Sequence, residues 1–285
     1  MTAPPHPIIV GIDASADSDR GLAWATHEAE ALGVPLHLVH ALPPLHTDVP
    51  LTPSDERALW ESAKRLVDKT RATIDSATGV SVTSEVVDGL PARVLIEASH
   101  EAELVVLGAR GHHALSGLLL GSVSQQVCAH AHCPVTVVRE PADPHQHRIV
   151  VGVDGSAGSD LALGYAMRLG AREKAPVTAV YGWRDHDSLT TGPGSPFWMY
   201  TAERIASGER LLERALAPWV EKHPDVEVSR EAIPVAPARA LADASEHAAM
   251  VVVGTRGRGG FAGLLLGSVS RSVLHHARCP VVVVR

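Results

Sequence analysis

Two stretches of the chain place glycine, arginine and hydroxyl residues at one spacing. Gly108-Ala109-Arg110-Gly111, nine residues, then Gly121-Ser122 recurs as Gly254-Thr255-Arg256-Gly257, nine residues, then Gly267-Ser268. Both copies follow an apolar run, and both contain Gly-Leu-Leu-Leu-Gly-Ser-Val-Ser, over Gly117 to Ser124 and Gly263 to Ser270. The chemistry this pattern suits is anion binding. A glycine-rich turn that leaves a strand and feeds a helix gathers backbone N–H groups where the helix dipole favours negative charge. Gly108 is expected to turn the chain off its strand, and Gly111 to let backbone approach a ligand without a Cβ between them. Gly121 and Ser122 would open a helix with free N–H groups and a hydroxyl. Ser124 and Ser270, one turn further in, would add hydroxyls. No Gly-Lys-Ser/Thr closes either loop, so the pattern is not that of a P-loop. The first strand-to-helix turn, Asp13 to Ser18, lacks the GxGxxG of a dinucleotide site.

The duplication extends to the elements that must position these loops. Ile9-Val10-Gly11-Ile12-Asp13-Ala14-Ser15 answers Val150-Val151-Gly152-Val153-Asp154-Gly155-Ser156 at an offset of 141, while the glycine loops and Pro91/Pro237 keep an offset of 146. A net five-residue insertion therefore falls in the second copy, placed between Asp185 and Tyr200. Repeats this long are duplicated domains, not solenoid units. A chain of 285 residues accommodates two such domains, 1–140 and 148–285, joined by a polar, proline-bearing linker over 141–147.

Each copy reads as strands alternating with helices. In the first, strands are expected over Pro7–Ile12, Leu36–Ala41, Val80–Val87, Leu104–Leu107 and Pro134–Arg139. Helices are expected over Ser18–Leu32, ended by Gly33; then a long one capped at Ser54; one from Pro91; and one from Ser122. Leu22, Ala25, Ala29 and Leu32 would form the apolar face of the first helix, and Leu59, Ala63, Leu66, Val67 and Ile74 that of the second. This alternation predicts an α/β fold of two tandem Rossmann-like domains, each with a five-stranded, mostly parallel sheet flanked by helices. Ligands on such sheets lie beyond the carboxyl ends of the strands, where the strand order reverses. Asp13, Ala41 and Gly108 all fall at strand ends. An aspartate there suits a ligand hydroxyl or amino group, and it equally suits capping of the next helix.

Composition sets further bounds. With 45% hydrophobic and 20% charged residues the chain is globular, and its formal charge of −7 argues against broad binding to nucleic acid or anionic membrane. The N-terminus lacks the basic and apolar regions of a signal peptide, and no window reaches the ~18–20 apolar residues of a membrane span, so a cytoplasmic location is expected. The three cysteines show no ligand or redox spacing and read as buried small apolar residues. The 17 histidines are dispersed, without a metal-binding framework, and read as surface or cap residues, with His130 and His132 near a helix end. Phe197, Trp198 and Tyr200 read as aromatics that fill a groove between lobes or cover a pocket.

Gly-x2-Gly-x9-Gly-Ser twice, with aspartate ending the first strand of each copy, resembles the universal stress proteins of the ATP-binding class, in their tandem two-domain form common in actinobacteria. The resemblance covers essentially the whole chain. It implies an adenine-nucleotide-binding fold of the alpha hydrolase-like type and one site per domain for ATP, with Mg2+ or Mn2+ carried on the phosphates. Asp13 and Asp154 would contact the adenosine portion, and backbone near Ala41 and Gly182 would read the adenine edge. Gly108, Gly111, Gly121, Ser122 and Ser124 would hold phosphates in the first domain. Gly254, Gly257, Gly267, Ser268 and Ser270 would do so in the second. The resemblance also implies a stress-response role and fifth strands that pair between domains, giving lobes packed with pseudo-two-fold symmetry, with homodimerisation as a further expectation. The second loop, Arg258 to Ala262, follows the family pattern closely; the first has His112 to Ser116 instead. Gly89, before the third helix, has Val235 as its counterpart. The function expected is that of a nucleotide-binding regulatory module. The alternative is a slow ATPase or phosphoryl-transfer enzyme, against which stands the lack of an evident lysine and metal-binding carboxylate set.

Overall fold

A computed structural model describes residues 5–44, 52–111, 120–141, 145–183, 196–258 and 265–285, with the side chains of 196–201 also outside the description. The inserted stretch at 184–195, the side chains of Phe197, Trp198 and Tyr200, the histidine-bearing stretch 112–116 and the glycine-rich 259–262 therefore lie outside the described residues. The chain divides into two compact units, Met1–Arg139 and Glu140–Arg285.

The first unit runs β1 (Ile8–Gly11), α1 (Ala16–Leu32), β2 (Leu36–Leu42), α2 (Pro53–Ala77), β3 (Val82–Asp88), α3 (Pro91–Ala98), β4 (Leu104–Gly108), α4 (Ser122–His130) and β5 (Val135–Val138). Its strands lie in the order β3-β2-β1-β4-β5, and every pairing among them is parallel. The second unit repeats the plan: β6 (Ile149–Gly152), α5 (Ala157–Glu173), β7 (Val177–Gly182), α6 (Pro196–Lys222), β8 (Val228–Ile233), α7 (Pro237–Ala244), β9 (Met250–Gly254), α8 (Ser268–His276) and β10 (Val281–Val284). Its strand order is β8-β7-β6-β9-β10, again all parallel. In each unit the chain winds outward from the first strand, then returns to build the other side. The order thus reverses between β1 and β4, and between β6 and β9.

The residue types explain the layers. Leu104 to Leu107 are all buried, as expected of a central parallel strand covered on both faces. One face of the first sheet gathers Ile8, Val10, Leu36, Leu38, Leu104 and Val106 against Ala25 and Ala29 of α1 and Val67 and Ile74 of α2. The predicted apolar face of α1 holds at Ala25 and Ala29, whereas Leu32, in the last residue of the helix, is 41% exposed. Gly33 ends α1 in the left-handed conformation, φ 66°, which glycine adopts without the Cβ penalty. The α2 cap is Thr52, not Ser54. The Thr52 hydroxyl accepts the Asp55 N–H and the Asp55 carboxylate accepts the Thr52 N–H, a reciprocal capping box that leaves Ser54 inside the first turn. The chain before α3 differs between copies for a steric reason. Gly89 sits at φ 141°, which a β-branched residue avoids, and Val235 instead donates its N–H to the Ile233 carbonyl at 2.8 Å.

Candidate functional site

At the carboxyl ends of β6 and β9 the second unit holds a cavity of about 400 Å3. Every residue singled out from the sequence in this copy lines it: Asp154, Gly182, Gly254, Gly257, Gly267, Ser268 and Ser270. Its volume falls in the usual range for small-molecule sites, roughly 300–1,000 Å3.

The polar end of the cavity is the start of α8. Gly267 is the N-cap residue, and no side chain caps the helix; α4 opens the same way at Gly121. The N-cap amides are already engaged: Gly121 N–H donates to the Ala109 carbonyl and Gly267 N–H to the Thr255 carbonyl, each at 2.7 Å. Intrahelical bonding then begins at Gln125 and Arg271. Among the described residues, the amides of Ser122, Val123 and Ser124, and of Ser268, Val269 and Ser270, have no acceptor. By contrast α1 and α5 are capped by Ser15 and Ser156, whose hydroxyls accept the N–H of Ser18 and Ser159. The capping alternative for the aspartates thus falls to the serines two residues on.

Asp13 and Asp154 instead brace the turn. Asp13 Oδ1 accepts the Ser15 N–H at 3.0 Å, and Asp154 Oδ1 accepts the Ser156 N–H at 2.9 Å. Asp154 Oδ2 also accepts the Arg258 N–H at 2.8 Å, which fastens the glycine loop to the first strand of the unit. Partial burial raises the Asp154 pKa. Hydrogen bonds from Ser156, Arg258 and Ser159 outweigh that and hold it below the ordinary 3.8.

The loop glycines also make room for the protein's own atoms. None of Gly108, Gly111 and Gly121 has a positive φ. Gly108 ends β4, where a Cβ would lie 2.5 Å from the Asp17 carbonyl carbon; Gly254 meets the backbone of Gly158 in the same way. These are packing glycines that let a helix start against a strand end. A Cβ on Gly111 would come 2.6 Å from Asp13 Oδ2, and one on Gly257 would run into Asp154 Oδ2. The Ser124 and Ser270 hydroxyls donate to the Gly108 and Gly254 carbonyls at 2.8 and 2.6 Å, so each ties a helix to its strand with its only proton. Ala41 pairs with Val87 at the end of β2, and Gly182 is glycine because the Val235 carbonyl would lie 2.7 Å from its Cβ.

Besides the aspartate, glycines and serines named above, further residues contribute to the cavity. Arg256 and Arg258 line it, and so do Leu241, Val180 and Val253 as its apolar wall. Ser159 lines it too and accepts the Gly155 N–H at 3.1 Å. The Ser-x-x-Ser spacing at Ser15/Ser18 and Ser156/Ser159 was the available signal. Elsewhere the buried reading of the cysteines agrees with the structure, where all three are buried and none is in a disulfide. His130 Nδ1 bonds the Gln126 carbonyl near the end of α4, and His132 stacks on His100. No cluster of three potential metal ligands occurs among the described residues, and no helix among them is long and apolar enough to cross a membrane.

Two doubly wound units, each with an uncapped helix start over its switch point, define a tandem α/β protein. The chain belongs to the universal stress protein family, whose model matches residues 5–139 and again 146–285. It is 38% identical to a universal stress protein of Mycobacterium tuberculosis, over 98% of this chain and 96% of that one. A universal stress protein of Mycolicibacterium smegmatis is 36% identical over 100% and 99% of the two chains. The crystal structure of a universal stress protein from Archaeoglobus fulgidus shares the fold, with a TM-score of 0.74 at 22% identity over 99% of this chain and 97% of that one.

Proposed function

We propose that the protein is a cytoplasmic, adenine-nucleotide-binding stress-response module with one site in each unit, ATP being the ligand of the second. The observation that carries this reading is the convergence in one cavity of an uncapped helix start, two arginines and a carboxylate held ionised beside an apolar wall. The amides of Ser268 to Ser270 and the arginines suit phosphate oxygens, which are strong acceptors of charge-assisted hydrogen bonds. Asp154, purely an acceptor once ionised, suits ribose hydroxyls, and Leu241, Val180 and Val253 suit the base. A divalent cation would ride on the phosphates. Among the described residues the cavity lining includes Asp154 as its carboxylate and no lysine, which supports binding over phosphoryl transfer.

The test is direct. Protein as purified, denatured in acid, is assayed for released nucleotide, and thermal unfolding is followed with and without ATP. Release of adenine nucleotide, or a melting temperature raised by ATP, is expected. No release together with an unmoved melting temperature would rule the reading out. Steady phosphate release that Asp154→Ala abolishes would replace it with the ATPase.

A further inference from the structure

The two glycine loops share a sequence pattern, but their donors are in different states. In the first unit, Asp17 stands in the first turn of α1 with its side chain 5% exposed. Its Oδ2 accepts both the Arg110 backbone N–H, at 3.2 Å, and Arg110 Nε, at 3.0 Å; its Oδ1 accepts Arg20 Nη1 at 2.7 Å. The Ser15 hydroxyl adds a bond to the Arg110 carbonyl at 3.2 Å. The loop arginine and its amide, which would add to the open α4 amides as donors to an anion, are thus already satisfied by an anion that belongs to the chain.

The second unit has no such group. At the 141-residue offset Asp17 corresponds to Gly158 and Arg20 to Leu161. A Cβ on Gly158 would lie 2.5 Å from the Arg256 carbonyl oxygen, so the loop here sits too close to α5 to admit a side chain. Arg256 lines the cavity, and among the described residues it has no ion pair or hydrogen bond.

We infer that Asp17 is a specificity-determining residue that engages the first unit's loop arginine and its amide, leaving that unit the α4 amides alone for an anion, so that the two sites differ in the charge of the ligand they accept. The second takes the full polyphosphate. The first discriminates against phosphate charge and keeps the nucleoside contacts at Asp13. A buried carboxylate cannot be left without its donors cheaply, so phosphate does not displace it from Arg110. The inference rests on the adenine-nucleotide reading given above.

Isothermal titration of the full chain with ATP and, separately, with adenosine tests it. ATP is expected to bind in two steps whose dissociation constants differ by about tenfold or more, the scale of one charge-assisted hydrogen bond, whereas adenosine fills both sites with similar affinity. Asp17→Asn, which keeps the shape, and Asp17→Gly, which copies the second unit, are each expected to tighten the weak ATP step by about tenfold and leave adenosine unmoved. A merely structural ion pair would change both ligands alike or neither. Two equal ATP steps in the unmodified chain, or a weak step that neither variant shifts, would overturn the inference while leaving nucleotide binding intact. Absence of any binding would remove both.

Discussion

Gly111 and Asp13 occupy one space: a Cβ on the glycine would lie 2.6 Å from the carboxylate oxygen Oδ2 of the aspartate. Gly257 and Asp154 repeat the relationship in the second unit. The second glycine of the motif thus exists for the aspartate, and the two belong to one device although about 100 residues separate them.

Gly257→Ala should therefore act on the ligand more than on the fold. The methyl group meets the end of a side chain that can rotate away, so stability should fall by about 1 kcal/mol or less while the displaced Asp154 loses its bond to the Arg258 amide. Gly254→Ala meets the backbone of Gly158 instead, which cannot yield, and should cost about 2–3 kcal/mol. Urea unfolding of both variants, with ATP titration of the first, separates the two cases.

The turn after β1 carries a cost that its counterpart avoids. Ala14 sits at φ 62°, where Gly155 in the second unit sits at φ 77°. Left-handed backbone costs an L-residue roughly 1–2 kcal/mol, part of which glycine returns through its freer unfolded chain. Ala14→Gly is expected to stabilise the first unit by about 0.5–1 kcal/mol, read as a higher urea midpoint with an unchanged slope.

The pH dependence of Asp154 follows from its depressed pKa. A carboxyl group whose folded pKa lies below its unfolded value contributes stability above the unfolded pKa, and that contribution disappears as pH falls through the folded one. Asp154→Asn should cost about 1 kcal/mol at pH 7 and the same at pH 6, with the difference from the parent chain shrinking once pH drops below the ordinary 3.8. Chemical unfolding at a series of pH values checks this. A penalty that grows toward acid pH would mean that the carboxylate is not the stabilised form.

Thr52 and Ser54 make a paired test of the α2 start. Thr52→Ala removes the hydroxyl that accepts the Asp55 amide and should cost about 1 kcal/mol, whereas Ser54→Ala should stay within about 0.5 kcal/mol. Equal losses would contradict the capping box.

The strands were legible because Val, Ile and Leu runs alternate with helical spacing at the same places in both copies, whereas the order in which they pair was not. The cap of α2 was misjudged because Thr52-Pro53-Ser54-Asp55 offers two hydroxyls. Only the reciprocal bond with Asp55 tells them apart. The aspartate, glycines and serines that line the second cavity could be named because the glycine pattern marks strand and helix ends, whereas the part each plays in packing could not. That Gly108 makes room for a helix, or that Ser124 is tied to the Gly108 carbonyl, depends on which backbones approach, and no local pattern records this. The difference between Asp17 and Gly158 was visible as a substitution in the repeat. Its meaning needed the Arg110 amide in place.

The open first turn of α8 has a use as a gauge. Amides without acceptors exchange their hydrogens with solvent readily, and those engaged by a bound group are shielded. Ser268, Val269 and Ser270, which lack acceptors among the described residues, should therefore pass from fast to slow exchange as the second cavity fills. The backbone itself then serves as an occupancy meter, one that needs no label on the ligand and no change in the sequence.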